Sequence, residues 1–140
     1  MKRFRTSHLI KSEDLNHHGT LFAGRSAEWL VESAFIAAAA THGYPEDVLC
    51  INIHGFVFNQ PVEKGHLLMM TSMVVRTGRT SLTVHVKAEN EITHDSPTDG
   101  FITFVTVDNQ THKPKPHNVM LDKTEDPEEL AVRVKAMELF

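Results

Sequence analysis

The sequence has only one cysteine, Cys50, so no disulfide can form within the chain, and a lone thiol fits a reducing cytoplasm. Basic residues do not predominate: 14 Lys and Arg stand against 18 Asp and Glu, for a net charge of −4. This balance leaves no electrostatic footprint for nucleic acid. No apolar run approaches the roughly 20 residues that cross a bilayer, and no apolar segment of a signal peptide follows the basic N-terminus. We therefore expect a cytoplasmic protein that binds neither nucleic acid nor membrane.

Several signatures of catalysis and metal binding are also absent. The sequence contains no G-x-S-x-G, no P-loop and no dinucleotide-binding fingerprint. Ten histidines are present, but there is no H-E-x-x-H pair and Cys50 has no partner cysteine. We therefore expect no metal site.

What the sequence does contain is one long helical segment among strand-like segments. Residues 21–42 are apolar almost all round, which predicts a helix inside the fold, and Gly43-Tyr44-Pro45 predicts its end. The predicted strands are residues 3–10, 48–58, 67–76, 81–88 and 101–108, with Asp99-Gly100 as a hairpin turn. Short connections favour an antiparallel meander wrapped round the helix, which is an α+β fold.

The C-terminal segment predicts a second helix. Residues 111–123 are typical of a linker, and Asp126-Pro127 is a strong helix start. Leu130, Val134 and Met137 share one face, so we expect this helix to dock through them on the body or on a neighbouring subunit. We divide the chain into a main domain, residues 1–120, and a C-terminal amphipathic helix, residues 121–140.

The loop that opens into the long helix is the first candidate site. Gly24 lies in or near the first helical turn, where free backbone N–H groups can bind an anion or polarise a carbonyl. Asn16 can orient a water molecule or hold a carbonyl oxygen. The alternative is that Gly24 only shapes the helix entry and that Asn16 only caps a polar turn.

Glu32 is the second candidate, because it is a carboxylate among apolar helical neighbours. Burial would raise its pKa towards the range that a general base or nucleophile needs. A structural ion-pair cluster with Arg25 and Glu28 explains it equally well. Gly24 and Glu32 are separated by roughly 12 Å along one helix, so joint action on one carbonyl requires Glu32 of one subunit beside Gly24 and Asn16 of another. The catalytic hypothesis therefore predicts a two-fold dimer.

The turn Thr77-Gly78-Arg79-Thr80-Ser81 is the third candidate. It offers hydroxyls and a guanidinium that suit phosphate or pantetheine contacts. A plain hairpin turn would need only its glycine.

Taken together, these motifs resemble the hotdog-fold acyl-CoA thioesterases of the acyl-CoA hydrolase branch. The matching blocks are Asn16-x-x-Gly19-Thr20-Leu21-Phe22-Ala23-Gly24, Trp29-Leu30-Val31-Glu32, Phe56-Val57-Phe58-Asn59-Gln60-Pro61-Val62-x-x-Gly65 and the turn at 77–81. They span about residues 8–116. The resemblance implies a long helix wrapped by an antiparallel sheet, a dimer with a continuous sheet, and often a trimer of dimers. It also implies hydrolysis of acyl-CoA with no cofactor, coenzyme A being part of the substrate.

The resemblance also assigns roles to residues. Asn16 would position the thioester or the water, the Gly24 amide would polarise the carbonyl, and Glu32 of the partner subunit would activate water or attack directly. Arg79, Thr80 and Ser81 would lie along the CoA arm, and His54 would line the pocket. In two places the chain departs from the family pattern, in which Asp is expected at Glu32 and Gly-Gly at Ala23-Gly24.

Two other functions fit parts of the pattern. A non-catalytic module that binds acyl-CoA would keep the fold, but it would not need Asn16 and a buried Glu32. A hydratase or dehydratase would need a catalytic histidine paired with an acid, and the loop around His17 and His18 does not match that pattern.

Overall fold

A five-stranded antiparallel sheet and one long helix form the body of the protein, and the computed structural model describes all residues, 1–140. The strands are β1 (Phe4–Leu9), β2 (Val48–Phe58), β3 (Leu67–Thr77), β4 (Ser81–Asn90) and β5 (Thr98–Thr106). The helices are α1 (Ala23–His42) and α2 (Pro127–Glu138), with short 3-10 turns at Ser12–Asp14 and Pro45–Asp47. This arrangement confirms the α+β hotdog fold expected from the sequence.

The core lies between α1 and the inner face of the sheet. Leu30, Ala34, Ala37 and Ala38 have no exposed surface, because spacings of three and four residues place them on one side of the helix. Gly43 ends the helix as predicted: its φ is +95° and its N–H donates to the Ala39 carbonyl oxygen.

The opposite face of α1 is exposed, so the expectation of a helix buried all round is wrong for the single chain. Gly24, Glu28 and Glu32 lie on this face at intervals of four residues, each exposed to solvent. A helix of this apolar character with one uncovered stripe indicates a surface that another subunit can cover.

The order of strands in the sheet is β1-β3-β4-β5-β2. The sequence predicted a meander from β2 onwards, but only β3, β4 and β5 follow one another; β2 pairs with β5 at the far edge. The segment between β2 and β3 explains the difference, because it packs against the start of α1 and does not form a tight turn. There Val62 is buried in the core and its carbonyl oxygen accepts the Leu21 N–H at 2.8 Å.

The predicted hairpin turn at Asp99-Gly100 is also wrong. Both residues lie within β5, and the chain turns earlier, between Asn90 and Thr98. Asn90 organises this turn by accepting the Ile92 and Thr93 N–H groups on its Oδ1 atom, at 2.9 and 3.2 Å. Glycine is needed at position 100 for a different reason: a Cβ there would overlap the Phe56 ring on β2.

The C-terminal helix lies across the outer face of the sheet, against β3 and β4. Asp126 caps it as predicted, accepting the Glu128 N–H. Within the chain its docked side is not the predicted apolar stripe, because Leu130, Val134 and Met137 are 44%, 55% and 67% exposed. Instead, Ala136 is buried and the Glu129 carboxylate, 3% exposed, is paired with cationic groups. The alternative, that the apolar stripe docks on a neighbouring subunit, stays a prediction. Neither helix combines the length and apolar character needed to cross a bilayer.

Candidate active site

The loop before α1 is organised by Asn16. Its Oδ1 atom accepts the backbone N–H groups of His18 and Thr20, at 2.9 and 3.3 Å. Its Nδ2 atom donates to the Thr20 hydroxyl at 3.2 Å. The turn-forming role is therefore present, and the second Nδ2 proton is not used within the chain.

The first turn of α1 offers free backbone donors, as the sequence predicted. Phe22 is the N-cap, and no side chain caps the helix. The amides of Ala23 and Gly24 make no hydrogen bond to the preceding loop, so both can donate to a ligand at the positive end of the helix dipole. A Cβ on Gly24 would lie 2.6 Å from the Phe22 ring, so a larger residue here would require this exposed ring to move.

Glu32 is exposed in the single chain, which corrects the expectation that it is buried among apolar neighbours. The predicted ion-pair cluster also leaves it out. Arg25 pairs with Asp14 at 3.2 Å and with Glu28 at 3.6 Å. Glu32 has no salt-bridge partner within 4 Å, so its carboxylate is available to another molecule.

A histidine that sequence reasoning missed lies beside this face of α1. The ring of His8, on β1, stacks on the Trp29 indole with centroids 4.1 Å apart and planes 5° apart. Burial lowers the pKa of His8, and the carboxylate of Glu32, together with that of Asp14, partly opposes this shift. The alternation of β1 places His8 on the partly buried side of the strand, which is a weak sequence signal because many strands carry such a residue.

The edge strand β2 is the second uncovered surface. It presents large apolar side chains with exposed fractions of 46% to 63%: Leu49, Ile51, Ile53, Val57 and Phe58. A long apolar edge with unpaired backbone groups is a ready template for pairing with another strand.

The turn between β3 and β4 lies at the other end of α1 from Gly24. The Thr80 carbonyl oxygen accepts the Thr106 N–H at the end of β5. The next residue, Val107, donates its N–H to the carbonyl oxygen of Asp47, which follows the C-terminal end of α1. Glycine at position 78 makes room for the Ser81 side chain, since a Cβ would overlap its Oγ atom. Arg79 is exposed and has no acidic partner. One chain therefore does not bring this turn and Gly24 together.

His54 lies on β2, away from the residues around the start of α1 in the single chain, and its expected place along the substrate pocket stays a prediction. Its Nε2 atom is 2.7 Å from the Thr103 hydroxyl, which in turn lies 2.8 Å from the Thr83 hydroxyl. This row of polar groups lies on the outer face of the sheet, because Ile102 and Val84, the neighbours of Thr103 and Thr83, point into the core. Burial lowers the pKa of His54. No group of three or more His, Cys, Asp or Glu side chains is arranged to hold a metal ion.

Known structures resemble this one over nearly its whole length. An acyl-CoA hydrolase from Staphylococcus aureus, solved with butyryl-CoA, CoA and CoA disulfide, is 27% identical with a TM-score of 0.86, over 98% of this chain and 80% of that chain. A hexameric acyl-CoA thioesterase is 29% identical with a TM-score of 0.85, over 98% and 87%. An acyl-CoA hydrolase from Bacillus cereus is 27% identical with a TM-score of 0.85, over 97% and 82%. The comparison with curated proteins gave no match.

The S. aureus hydrolase has also been solved with an aspartate or an asparagine replaced by alanine. In its numbering the aspartate is fifteen residues after the asparagine. In this chain the carboxylate of Glu32 is sixteen residues after Asn16.

A family model places the chain independently of these structures. The model of the thioesterase superfamily matches residues 18–96, which include α1, the strands β2 to β4 and, from His18 onwards, the loop before α1. The match covers more than half of the sequence. The chain therefore belongs to the thioesterase superfamily.

Proposed function

We propose that this protein hydrolyses acyl-CoA thioesters to a free acid and CoA, at sites shared between two subunits. The observation that carries the proposal is the uncapped start of α1, where Gly24 offers a free amide at the end of the loop that Asn16 organises. The chain that contains it is 27% to 29% identical to acyl-CoA hydrolases and a thioesterase over nearly all its length.

The start of α1 acts on the carbonyl group. The Gly24 N–H donates to the thioester oxygen and stabilises the negative charge that develops when the carbonyl carbon becomes tetrahedral. The free Nδ2 proton of Asn16 positions the thioester or the attacking water. The loop holds the carboxamide still through the bonds from His18 and Thr20.

Glu32 of the partner subunit supplies the carboxylate. As a general base it takes a proton from water while the water oxygen bonds to the carbonyl carbon; the C–S bond then breaks and the thiolate of CoA receives the proton. As a nucleophile it would form an acyl-glutamate anhydride that water then hydrolyses. Both routes give the same products.

A two-fold dimer brings these groups together. Pairing β2 with its symmetry copy continues the sheet and covers its apolar edge. The same axis makes the two α1 helices antiparallel, so that the middle of one helix, where Glu32 lies, is beside the first turn of the other. It also brings the Arg79-Thr80-Ser81 turn of one subunit to the end of the dimer that holds Gly24 of the other. The guanidinium and hydroxyls of this turn would bind the phosphates or pantetheine of CoA.

Three further points belong to the same proposal. The full assembly is a trimer of dimers, supported by a hexameric relative that is 29% identical. The enzyme uses no cofactor beyond the CoA of its substrate. It works in the cytoplasm, which the single cysteine, Cys50, supports.

Replacing Asn16 separates its catalytic role from its structural role. We expect Asn16→Ala to lower kcat at least about 100-fold, the effect of losing one positioned polar group. Asn16→Asp keeps the oxygen that accepts from His18 and Thr20 but removes the free amide proton. It should therefore preserve the thermal unfolding temperature and still lose most of the activity. A fully active Asn16→Asp variant would limit Asn16 to building the turn.

The proposed reaction is tested by following thiol release from a panel of acyl-CoAs, with Glu32→Gln as the control. We expect release of CoA from at least one ester, and much slower release by the variant. CoA binding without hydrolysis of any ester would contradict the proposal and favour a binding module. All three relatives described above carry the name hydrolase or thioesterase, which favours the enzyme.

A further inference from the structure

A cleft of about 200 Å³ opens beside the first turn of α1. Its walls come from Leu21 and Ala23 at the helix entry, from the Phe58–Val62 segment after β2, and from the start of β5. Gly24 itself lines a second cleft, whose walls carry the charges of Asp14 and Arg25. Ala23, the residue before Gly24, lines the uncharged cleft, so an acyl group whose carbonyl oxygen is bound by the Gly24 amide can extend into it.

Two hydroxyl groups line this mainly apolar cleft. Thr98 is 2% exposed, and its Oγ1 atom is buried without a hydrogen-bond partner. Ser26, 3% exposed, adds a second hydroxyl from α1. A buried hydroxyl without a partner is costly, and valine would fill the same space without that cost. The Thr98 hydroxyl therefore indicates a ligand with a polar atom.

The size and charge of the cleft further restrict which acyl groups it can bind. At about 200 Å³ the cleft has room for a short acyl chain. None of its lining residues is charged. A carboxylate would lose its hydration there without gaining a cation, so a charged acyl group is disfavoured.

From this cleft we infer that the preferred substrates are short, uncharged acyl-CoAs that carry a hydroxyl or keto oxygen, which the Thr98 hydroxyl binds. The inference rests on the proposed hydrolysis for the identity of the thioester. It goes beyond that hydrolysis because it names the acyl group and the residue that selects it. Thr98 acts here as a specificity residue and takes no part in breaking the thioester.

The test compares kcat/KM for butyryl-CoA with that for 3-hydroxybutyryl-CoA and 4-hydroxybutyryl-CoA. We expect at least one hydroxybutyryl ester to be favoured about tenfold, the effect of one uncharged hydrogen bond. Succinyl-CoA, which carries a carboxylate, should be a poorer substrate than butyryl-CoA. In Thr98→Val the ratio of kcat/KM for the hydroxybutyryl ester to that for butyryl-CoA should fall to about one.

Two variants serve as controls. Thr98→Ser keeps the hydroxyl and should keep the preference. Thr6→Val removes another buried hydroxyl without a partner, on β1 and outside the cleft, and should also keep it. If Thr98→Val does not fold, Thr98→Ala takes its place. A wild-type preference near one, or a preference that survives the loss of the Thr98 hydroxyl, would overturn the inference.

A binding measurement separates this inference from the proposed reaction. Isothermal titration of Glu32→Gln with butyryl-CoA and the hydroxybutyryl-CoAs requires no turnover. About tenfold tighter binding of a hydroxybutyryl ester, lost in the double variant with Thr98→Val, would support the cleft even if no ester were hydrolysed. Equal affinities would overturn the inference even if hydrolysis were observed.

Discussion

The Glu32→Gln variant is expected to lose at least about 1000-fold in kcat while binding CoA almost as well as the wild type. Glutamine keeps the size and the hydrogen-bonding capacity of the side chain but can neither accept the proton of water nor form an acyl anhydride. Glu32 is exposed in the single chain, so the substitution disturbs no packing within the chain. The measurement is steady-state thiol release, with CoA affinity from titration calorimetry.

Glu28→Gln provides the matched control. Glu28 is one turn earlier on the same exposed face of α1 and differs in being paired with Arg25. We expect this variant to keep its turnover within a few-fold of the wild type. Full activity in Glu32→Gln would remove Glu32 from the mechanism. A loss of activity in Glu28→Gln with no loss in Glu32→Gln would do the same.

The second large effect is expected at the β2 edge. Ile53→Lys should convert the dimer to a monomer and abolish hydrolysis, because the two halves of each site would separate. Ile53 is 47% exposed in the single chain, so lysine is tolerated there until a partner strand and helix cover it. Burying an unpaired ammonium group costs several kcal/mol. Light scattering after size-exclusion chromatography measures the mass, and thiol release measures the activity.

Leu130→Lys is the control for adding a charge to an apolar surface. Leu130 is 44% exposed on α2, on the other side of the sheet. This variant should retain the dimer and its activity. An Ile53→Lys protein that stays dimeric, or that hydrolyses acyl-CoA as a monomer, would contradict the shared site.

Much of the fold was predictable because local signals agreed with the tertiary structure. Gly43 ends α1 and Asp126 begins α2 as their residue types indicate. The exceptions depend on distant contacts. Asp99-Gly100 has the composition of a turn, yet both residues pair with β2 and β4, and position 100 is glycine because the Phe56 ring occupies the space of a Cβ. No local pattern shows that β2 pairs with β5, because this pairing joins strands that are far apart in the sequence.

The site was predictable only in part. The role of Gly24 follows from its place at a helix start, which the sequence identifies. Whether Glu32 is covered depends on the surface of another subunit, and the sequence of a single chain does not determine that. Thr98 gave no signal, because threonine is ordinary in a strand and only the absence of a partner for its hydroxyl distinguishes it.

The most direct test of the shared site is complementation between two inactive variants. Asn16→Ala and Glu32→Gln subunits are mixed in equal amounts, unfolded and refolded together so that mixed dimers form. Each mixed dimer would contain one site with both substitutions and one intact site, so random pairing should restore about a quarter of the wild-type activity. No recovery, with mixed dimers demonstrated by mass spectrometry, would show that Asn16 and Glu32 do not act on one thioester from two subunits.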